Sequence, residues 1–240
     1  MADKNHFPGI DTIKFGENIS IIQKGSTLEN ISVLEVYDKA IDFFRDYYQH
    51  EVIQGADRQK IEKIPETAFR EAIANALIHR VWDVDSQIRV SMFDDRLEIV
   101  SPGGLPSGIT EEEYLSGKLS VLRNRNLANV FYGLEFVEMF GTGITRIKQL
   151  YAEGLTKLDF EISENAIKIV LPIFEKSADL TEDEIVIYKL LSKTMLKPIS
   201  EIASYAPFGK SKTAKLLKEM CQKGVITVKG NGKGTKYIIR

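Results

Sequence analysis

The stretch Arg70–Arg80, REAIANALIHR, decides how the rest of the chain is read. Three alanines with Ile73, Leu77 and Ile78, and no proline or glycine, predict a helix. Glu71, Asn75 and His79 recur at i, i+4 and i+8. On a helix of about 3.6 residues per turn each step drifts by about 40°, so the three form one polar stripe. Taken alone, the stripe is as well explained by a solvated face on which Glu71 pairs with Arg70 or Arg80. The alternative is a carboxylate, an amide and an imidazole turned toward one shared site.

Working outward, IDTIKFG (10–16) and NISIIQKG (18–25) read as short strands ended by glycine. Residues 27–52, TLENISVLEVYDKAIDFFRDYYQHEV, read as one long amphipathic helix with Ile31, Leu34, Tyr37, Ile41 and Phe44 at helical spacing. ADRQKIEKIP (56–65) reads as a polar connector, and its Pro65 suits the first turn of the central helix. Downstream, QIRVSMF (87–93) and RLEIVSP (96–102) predict a hairpin turning at Asp94-Asp95. Then come the loop GGLPSG, a brief helix capped by Thr110, a mostly helical 124–140, the triplet GTG (141–143), and a helix to Gly154. KLDFEIS (157–163) and AIKIVLPIF (166–174) are two more strands. This order predicts an α+β layer with helices covering one face of a mixed sheet.

EKSADLTEDE (175–184) reads as a charged linker. Beyond it, helices over 182–193, 198–206 and 209–224 precede two strands around a glycine-rich tip, the pattern of a winged helix-turn-helix. No internal repeat or low-complexity tract is present.

Composition narrows the function. Cys221 is the single cysteine, and His6, His50 and His79 are scattered, so neither a disulfide framework nor a cysteine- or histidine-based metal cluster is expected. No apolar run approaches the ~18 residues of a membrane span. A cytoplasmic protein is expected. The net charge of −2 hides an asymmetry. Residues 209–240 hold nine lysines and arginines against Glu219 alone, a net +8, which leaves −10 on residues 1–208. A polyanion partner for the tail follows.

Two glycine loops bear on the stripe. SPGGLP (101–106) follows a strand and GTG opens a helix, and glycine lets backbone approach a ligand while helix N-termini favour phosphate. With an amide to hold Mg²⁺ and a carboxylate to work on water, these are the parts of a nucleotide–magnesium site.

In sequence order, EAIANALIHR (71–80), DDRLEIVSPGGLP (94–106), RNRNLANVFY (123–132) and EMFGTGITRI (138–147) resemble the divergent GHKL, or Bergerat-type, ATPase-like domain. That domain occurs in bacterial and archaeal proteins labelled transcriptional regulators or helicase-related, often with a Schlafen/AlbA-type domain in front and a winged helix behind. The resemblance spans about residues 60–175, and the chain is expected to begin after the front domain. It implies that Glu71 activates water as general base and that Asn75 binds Mg²⁺. It puts Ser101, Gly103 and Gly104 in the adenine-contacting segment, and Gly141, Thr142 and Gly143 over the phosphates. ATP and Mg²⁺ are the implied cofactors. Ser101 stands where the family has an aspartate, and both glycine motifs are shortened, which leaves hydrolysis open. His79 has no assigned role. Arg123, Asn124 and Asn126 are candidates to reach phosphates, although a helix-capping role is favoured for Asn126 and a solvated Arg123 is the alternative. Arg146 faces phosphate or solvent, and Trp82 and Asp83 belong to a lid or the core.

In the tail, Leu216, Leu217 and Met220 are expected inward. Lys210, Ser211, Lys212, Thr213 and Lys215 are expected on a recognition helix, with Lys229, Lys233 and Lys236 on the wing, meeting DNA phosphates. A basic face on a protein-binding winged helix is the alternative. The expected fold is therefore an α+β GHKL (Bergerat-like) α/β sandwich followed by a winged helix-turn-helix. The expected divisions are 1–58, 59–175, a linker at 176–181, and 182–240. The expected function is a transcriptional regulator that binds double-stranded DNA, responds to ATP/Mg²⁺ and forms a homodimer. A weak ATPase coupled to DNA work and a non-enzymatic scaffold with a vestigial pocket stay open. No Gly-x-x-x-x-Gly-Lys-[Ser/Thr] loop is present, so no P-loop helicase motor is expected.

Overall fold

A computed structural model describes residues 7–54, 57–117, 119, 121–137, 141–152, 154–174, 180–192, 194–230 and 232–239. Most of the expected linker, residues 138–140 of the second glycine motif and the Lys233 side chain lie outside the described residues. The chain divides into two compact units. One runs to Ala152 and resumes over Thr156–Phe174; the other takes Glu153–Leu155 and Glu175–Arg240. Among the described residues no helix is long and apolar enough to cross a membrane.

The first unit contains β1 (Ile10–Phe15), β2 (Ile22–Leu28), α1 (Val33–Tyr48), β3 (Gln49–Gln54), β4 (Asp57–Glu62), α2 (Glu66–His79), β5 (Ile88–Met92) and β6 (Arg96–Pro102). It continues with α3 (Glu111–Ser116), α4 (Arg125–Gly133), α5 (Gly143–Ala152), β7 (Asp159–Ile162) and β8 (Ala166–Pro172). Six strands form one mixed sheet in the order β2-β1-β5-β6-β8-β7. Every pair is antiparallel except β1 with β5, whose parallel pairing needs the long crossover that carries α1 and α2. Alternate residues point to one side: Ile10, Val90, Leu97, Ile99, Ile169 and Leu171 are all buried there. The register sets Val90 against Ile99 and Ile99 against Ile169, so the inner face is continuous across three strands. Burying each such side chain contributes roughly 1.5–3 kcal/mol.

α2 packs on β6 and β8, flanked by α1, α4 and α5. It is buried almost all round, at Ala68, Phe69, Ala72, Ile73, Ala74, Ala76, Leu77 and Ile78. The alanines let neighbouring backbone close in: Ser101 Oγ reaches the Ala76 carbonyl at 3.0 Å. Pro65 is the N-cap residue rather than part of the first turn.

Three expectations are corrected in this unit. The long helix ends at Tyr48, not at 52, and begins at Val33 behind the Ser32 cap. The Tyr48 hydroxyl reaches the carbonyls of Phe93 (2.9 Å) and Arg96 (2.7 Å), fixing the helix end to the β5–β6 turn. The chain then turns into a separate two-stranded hairpin, β3 with β4, where a helical end and a polar connector were expected. The second strand of the sheet starts at Ile22, four residues later than predicted. The β5–β6 hairpin closes at Asp94-Asp95 as predicted, and Thr110 caps α3 with Glu113 in a capping box.

The second unit contains α6 (Glu182–Leu190), β9 (Lys197–Pro198), α7 (Ile199–Tyr205), α8 (Lys210–Gln222), β10 (Ile226–Lys229) and β11 (Lys236–Ile239). Its strands pair antiparallel in the order β10-β11-β9. Ile187, Ile202, Leu216, Leu217, Met220 and Ile226 form its core, and Leu155 is buried with them. Glu184 is almost completely buried, yet it closes a capping box with Thr181 and accepts from Lys223 Nζ at 2.6 Å. Those partners hold its carboxyl below the ordinary range against the opposing effect of burial.

Candidate functional site

The polar stripe of α2 is not a solvated face. Glu71 is only 4% exposed. Its Oε1 accepts from Arg146 Nη1, one turn into α5, at 2.7 Å. Burial pushes the Glu71 carboxyl upward; Arg146, and more weakly Arg70, pull it back without cancelling the rise. One turn on, the Asn75 Nδ2 is buried with no hydrogen-bond partner among the described residues, a cost that native proteins tolerate chiefly where a ligand or water completes the set. Both side chains abut the first residue of α5. A Cβ built on Gly143 would lie 2.8 Å from Glu71 Oε2 and 2.8 Å from Asn75 Nδ2. Only glycine lets the start of α5 approach this closely.

His79 completes the stripe. Burial, assisted by the charge of Arg123 and opposed by a backbone hydrogen bond at Val121, lowers its imidazole to about 4, so the ring is neutral at pH 7. Arg123 Nη1 donates to the His79 carbonyl at 2.8 Å, at the C-terminal end of α2 where a cation is favoured. Arg123 is therefore half-buried and anchored to the end of α2 rather than simply solvated.

Glu71, Asn75, His79 and Arg123 line a cleft of about 940 Å³ of empty space, part of it open to solvent. Asn129 adds a polar group that the sequence did not point to, while Ile78, Leu122 and Ile144 give the wall an apolar character. A smaller recess of about 300 Å³ shares Asn75, His79, Tyr114 and Ile167 with the cleft and reaches Ser101 and Ile99 between α2 and the sheet. Burial raises the Tyr114 phenol to about 12. An apolar recess joined to a polar mouth at a helix N-terminus suits a ligand with a flat, weakly polar body and an anionic tail.

The two glycine segments behave differently. Gly103 (φ +99°) and Gly104 form part of the wall, but their amides donate to Asn165 O (2.8 Å) and Glu164 O (3.1 Å) in the β7–β8 turn. A Cβ on Gly103 would meet Val81 Cγ2 at 2.2 Å, and one on Gly104 would meet Glu164 O and Ser163 O at 2.4 Å. These glycines are required by the protein's own packing, and their N–H groups are not offered to a ligand. Gly141 and Gly143 line the cleft; half-buried Thr142 lies between them and its carbonyl accepts from Arg146 N at 2.8 Å. Ser101 lies in the recess with its hydroxyl proton donated to Ala76 O, leaving its oxygen able to accept. Asn124, not Asn126, caps α4, its Oδ1 accepting from Leu127 N at 3.0 Å, and Asn126 is exposed. Trp82 is partly buried against the core, its ring 5.2 Å from that of Phe7.

In the second unit, Lys210, Ser211, Lys212 and Lys215 are exposed on the N-terminal half of α8. Thr213 is a correction: it is fully buried, its hydroxyl donating to Gly209 O at 3.3 Å, and it cannot contact a partner. Lys212 pairs with Asp183 at 2.6 Å and lies over the Phe208 ring. Lys229 and Lys236 stand directly opposite each other on the β10–β11 hairpin, both exposed, an arrangement of like charges that costs stability in the isolated protein.

Comparison with known proteins bears on the first unit. Residues 85–171 match a family described as "Putative ATP-dependent DNA helicase recG C-terminal". The match takes in Ser101, the first glycine pair, Arg123 and GTG, but begins after Glu71 and Asn75. No curated protein matches the sequence. Among solved structures, the DIP2311 protein from Corynebacterium diphtheriae superposes with a TM-score of 0.63 at 22% identity, over 97% of this chain and 51% of that one. At this identity the likeness is one of fold, and this chain spans about half the length of that structure. The six-stranded mixed sheet of the first unit fits an α/β ATPase-like domain, and the match over residues 85–171 makes that stretch similar to the family so described.

Proposed function

We propose that the first unit binds ATP with Mg²⁺ and that the second, as a winged helix, binds double-stranded DNA, making the chain a nucleotide-responsive transcriptional regulator. The observation that carries the nucleotide half is the buried Asn75 amide, unpartnered at Nδ2 and placed with Glu71 against the glycine that opens α5. These residues fit a bound nucleotide: among the described residues the Nδ2–H lacks an acceptor and suits a phosphate oxygen, the amide Oδ1 is the atom that would meet a cation, and α5 starts so close that a Cβ on Gly143 would crowd both side chains. Asn75 would hold the cation, the α5 N-terminus would receive phosphate, and the Ser101 oxygen would accept from a base amino group. Bound magnesium would neutralise phosphate charge. Glu71, buried but still paired, is placed to take a proton from water, which favours slow hydrolysis as a second reading.

The DNA half is supported by the order of helices and strands in the second unit and by the exposed Lys210, Lys215, Lys229 and Lys236. α8 carries no arginine, so these contacts favour phosphate over bidentate base reading. Calorimetry should detect Mg-ATP binding to the full chain and a loss of at least tenfold in Asn75→Ala; absence of heat with the wild type rejects the nucleotide reading. Duplex DNA followed by anisotropy should give a log K versus log salt slope of about −3.6 if the four lysines each neutralise one phosphate. A flat response rejects the DNA reading.

A further inference from the structure

Glu71 and Arg146 lie 75 residues apart and meet at 2.7 Å in a site where the carboxylate is 5% and the guanidinium 30% exposed by side chain. Among the described residues, Arg146 Nη1 donates to Oε1. The other oxygen, Oε2, lies against Gly143 at the start of α5, and both residues line the cleft. The backbone that carries Arg146 is held in the first turn of α5, its N–H donating to Thr142 O.

We infer that Arg146 is the positioning residue for Glu71, holding one carboxylate oxygen so that the other is presented to the reacting end of the cleft. The inference rests on the nucleotide reading above. In that setting Glu71 Oε2 takes the proton of the water whose oxygen bonds to the terminal phosphorus. The bridging P–O bond breaks and its electron pair leaves with ADP. Arg146 touches neither water nor phosphate in this role; it aims the base and keeps it charged. A base must be ionised to act, and burial works against ionisation here. Among the described residues, the charged or titratable groups acting on Glu71 are Arg146 from α5, Arg70 from its own helix, and Tyr37 from α1, which itself pairs with Arg70. Only Arg146 forms a hydrogen bond with the carboxylate among the described residues.

The test uses the full chain as wild type, Arg146→Met, Arg146→Lys and Glu71→Gln. The Glu71 carboxyl is titrated by ¹³C NMR in glutamate-labelled protein, its resonance assigned by its loss in Glu71→Gln. Arg146→Met should raise the midpoint, and Arg146→Lys should restore much of it. In single-turnover hydrolysis Arg146→Met should lose on the order of a hundredfold in rate, with the acidic limb of the pH profile moved upward. The Mg-ATP Kd should change by less than about threefold, because the residue orients a base rather than binding the ligand. An unmoved or lowered Glu71 midpoint overturns the inference, as does a rate and pH profile equal to wild type. If the wild type neither binds nor turns over Mg-ATP, the nucleotide reading fails on its own, and the NMR midpoint still decides whether Arg146 governs Glu71.

Discussion

Gly104 and Gly143 offer a controlled comparison, since neither has a positive φ and each would accept alanine on backbone grounds. They differ in what a new methyl would meet and in that Gly143 opens a helix while Gly104 lies in a loop. At position 104 it would lie 2.4 Å from two carbonyl oxygens of the β7–β8 turn, which cannot move without disturbing the hydrogen bonds from Gly103 and Gly104. Overpacking against fixed backbone costs about 2–3 kcal/mol, equivalent to a Tm lower by about 4–12 °C for a unit of this size. At position 143 the methyl would lie 2.8 Å from the ends of the Glu71 and Asn75 side chains, which can rotate away. Alanine also gains up to about 1 kcal/mol over glycine in a helix, so Gly143→Ala should stay within about 1 kcal/mol of wild type. The same rotation displaces the two groups assigned to ligand and water, so Mg-ATP binding should fall at least tenfold. Thermal unfolding followed by circular dichroism and calorimetric titration separate the outcomes. A Gly104→Ala protein as stable as wild type, or a Gly143→Ala protein destabilised as much as Gly104→Ala, would refute the reasoning.

Three further outcomes are expected. Glu66 is held down to about 2 by hydrogen bonds from Arg45 and Gln49 and the charge of Lys60. Its stabilising effect is thus complete above pH 4.5 and is lost as pH falls toward 2. The shift sets a ceiling of about 3 kcal/mol, and the half-exposed Arg45 brings it nearer 1–2 kcal/mol. Glu66→Gln should therefore melt lower than wild type at pH 7 with the gap closing below pH 4.5, and a pH-independent gap would contradict this. On the β10–β11 hairpin, Lys229→Glu turns a like-charge pair into an attractive one. It should gain about 0.2–1 kcal/mol in stability while weakening duplex DNA binding, whereas Thr213→Val should leave DNA binding unchanged; matched signs for stability and affinity in Lys229→Glu would count against a phosphate-contacting wing.

What the sequence revealed tracks how local each determinant is. α2, the Asp94-Asp95 hairpin and the Thr110 cap are written in neighbouring residues, so periodicity and capping chemistry found them. The β3–β4 hairpin escaped because its strands, QHEVIQ and DRQKIE, are short and polar, and the first continues the helical pattern before it. Asn124 and Asn126 are equally good caps by composition, and the start of α4 at Arg125 selects the first. The stripe identified Glu71 and Asn75, but not that Arg146 would hold the first or that Gly143 would press on both. Those contacts join segments some 70 residues apart, and no local pattern encodes them. Nor does a glycine in the sequence say whether its freedom serves a ligand or, as at Gly103 and Gly104, a turn 60 residues downstream.

Leu155 bears on how the second unit can be inherited. It is 7% exposed among the residues of that unit's core, yet it is encoded between two segments of the first unit. A recombination breakpoint in the linker would carry residues 182–240 to a new host gene without it. Removing a buried leucine side chain costs about 2–5 kcal/mol, a large share of the few kcal/mol typical of a domain of about 60 residues. The second unit is thus poorly suited to being shuffled alone: descendants that keep it folded would tend to keep the helix-to-strand connection around Leu155 as well, so the two units should travel through genomes together.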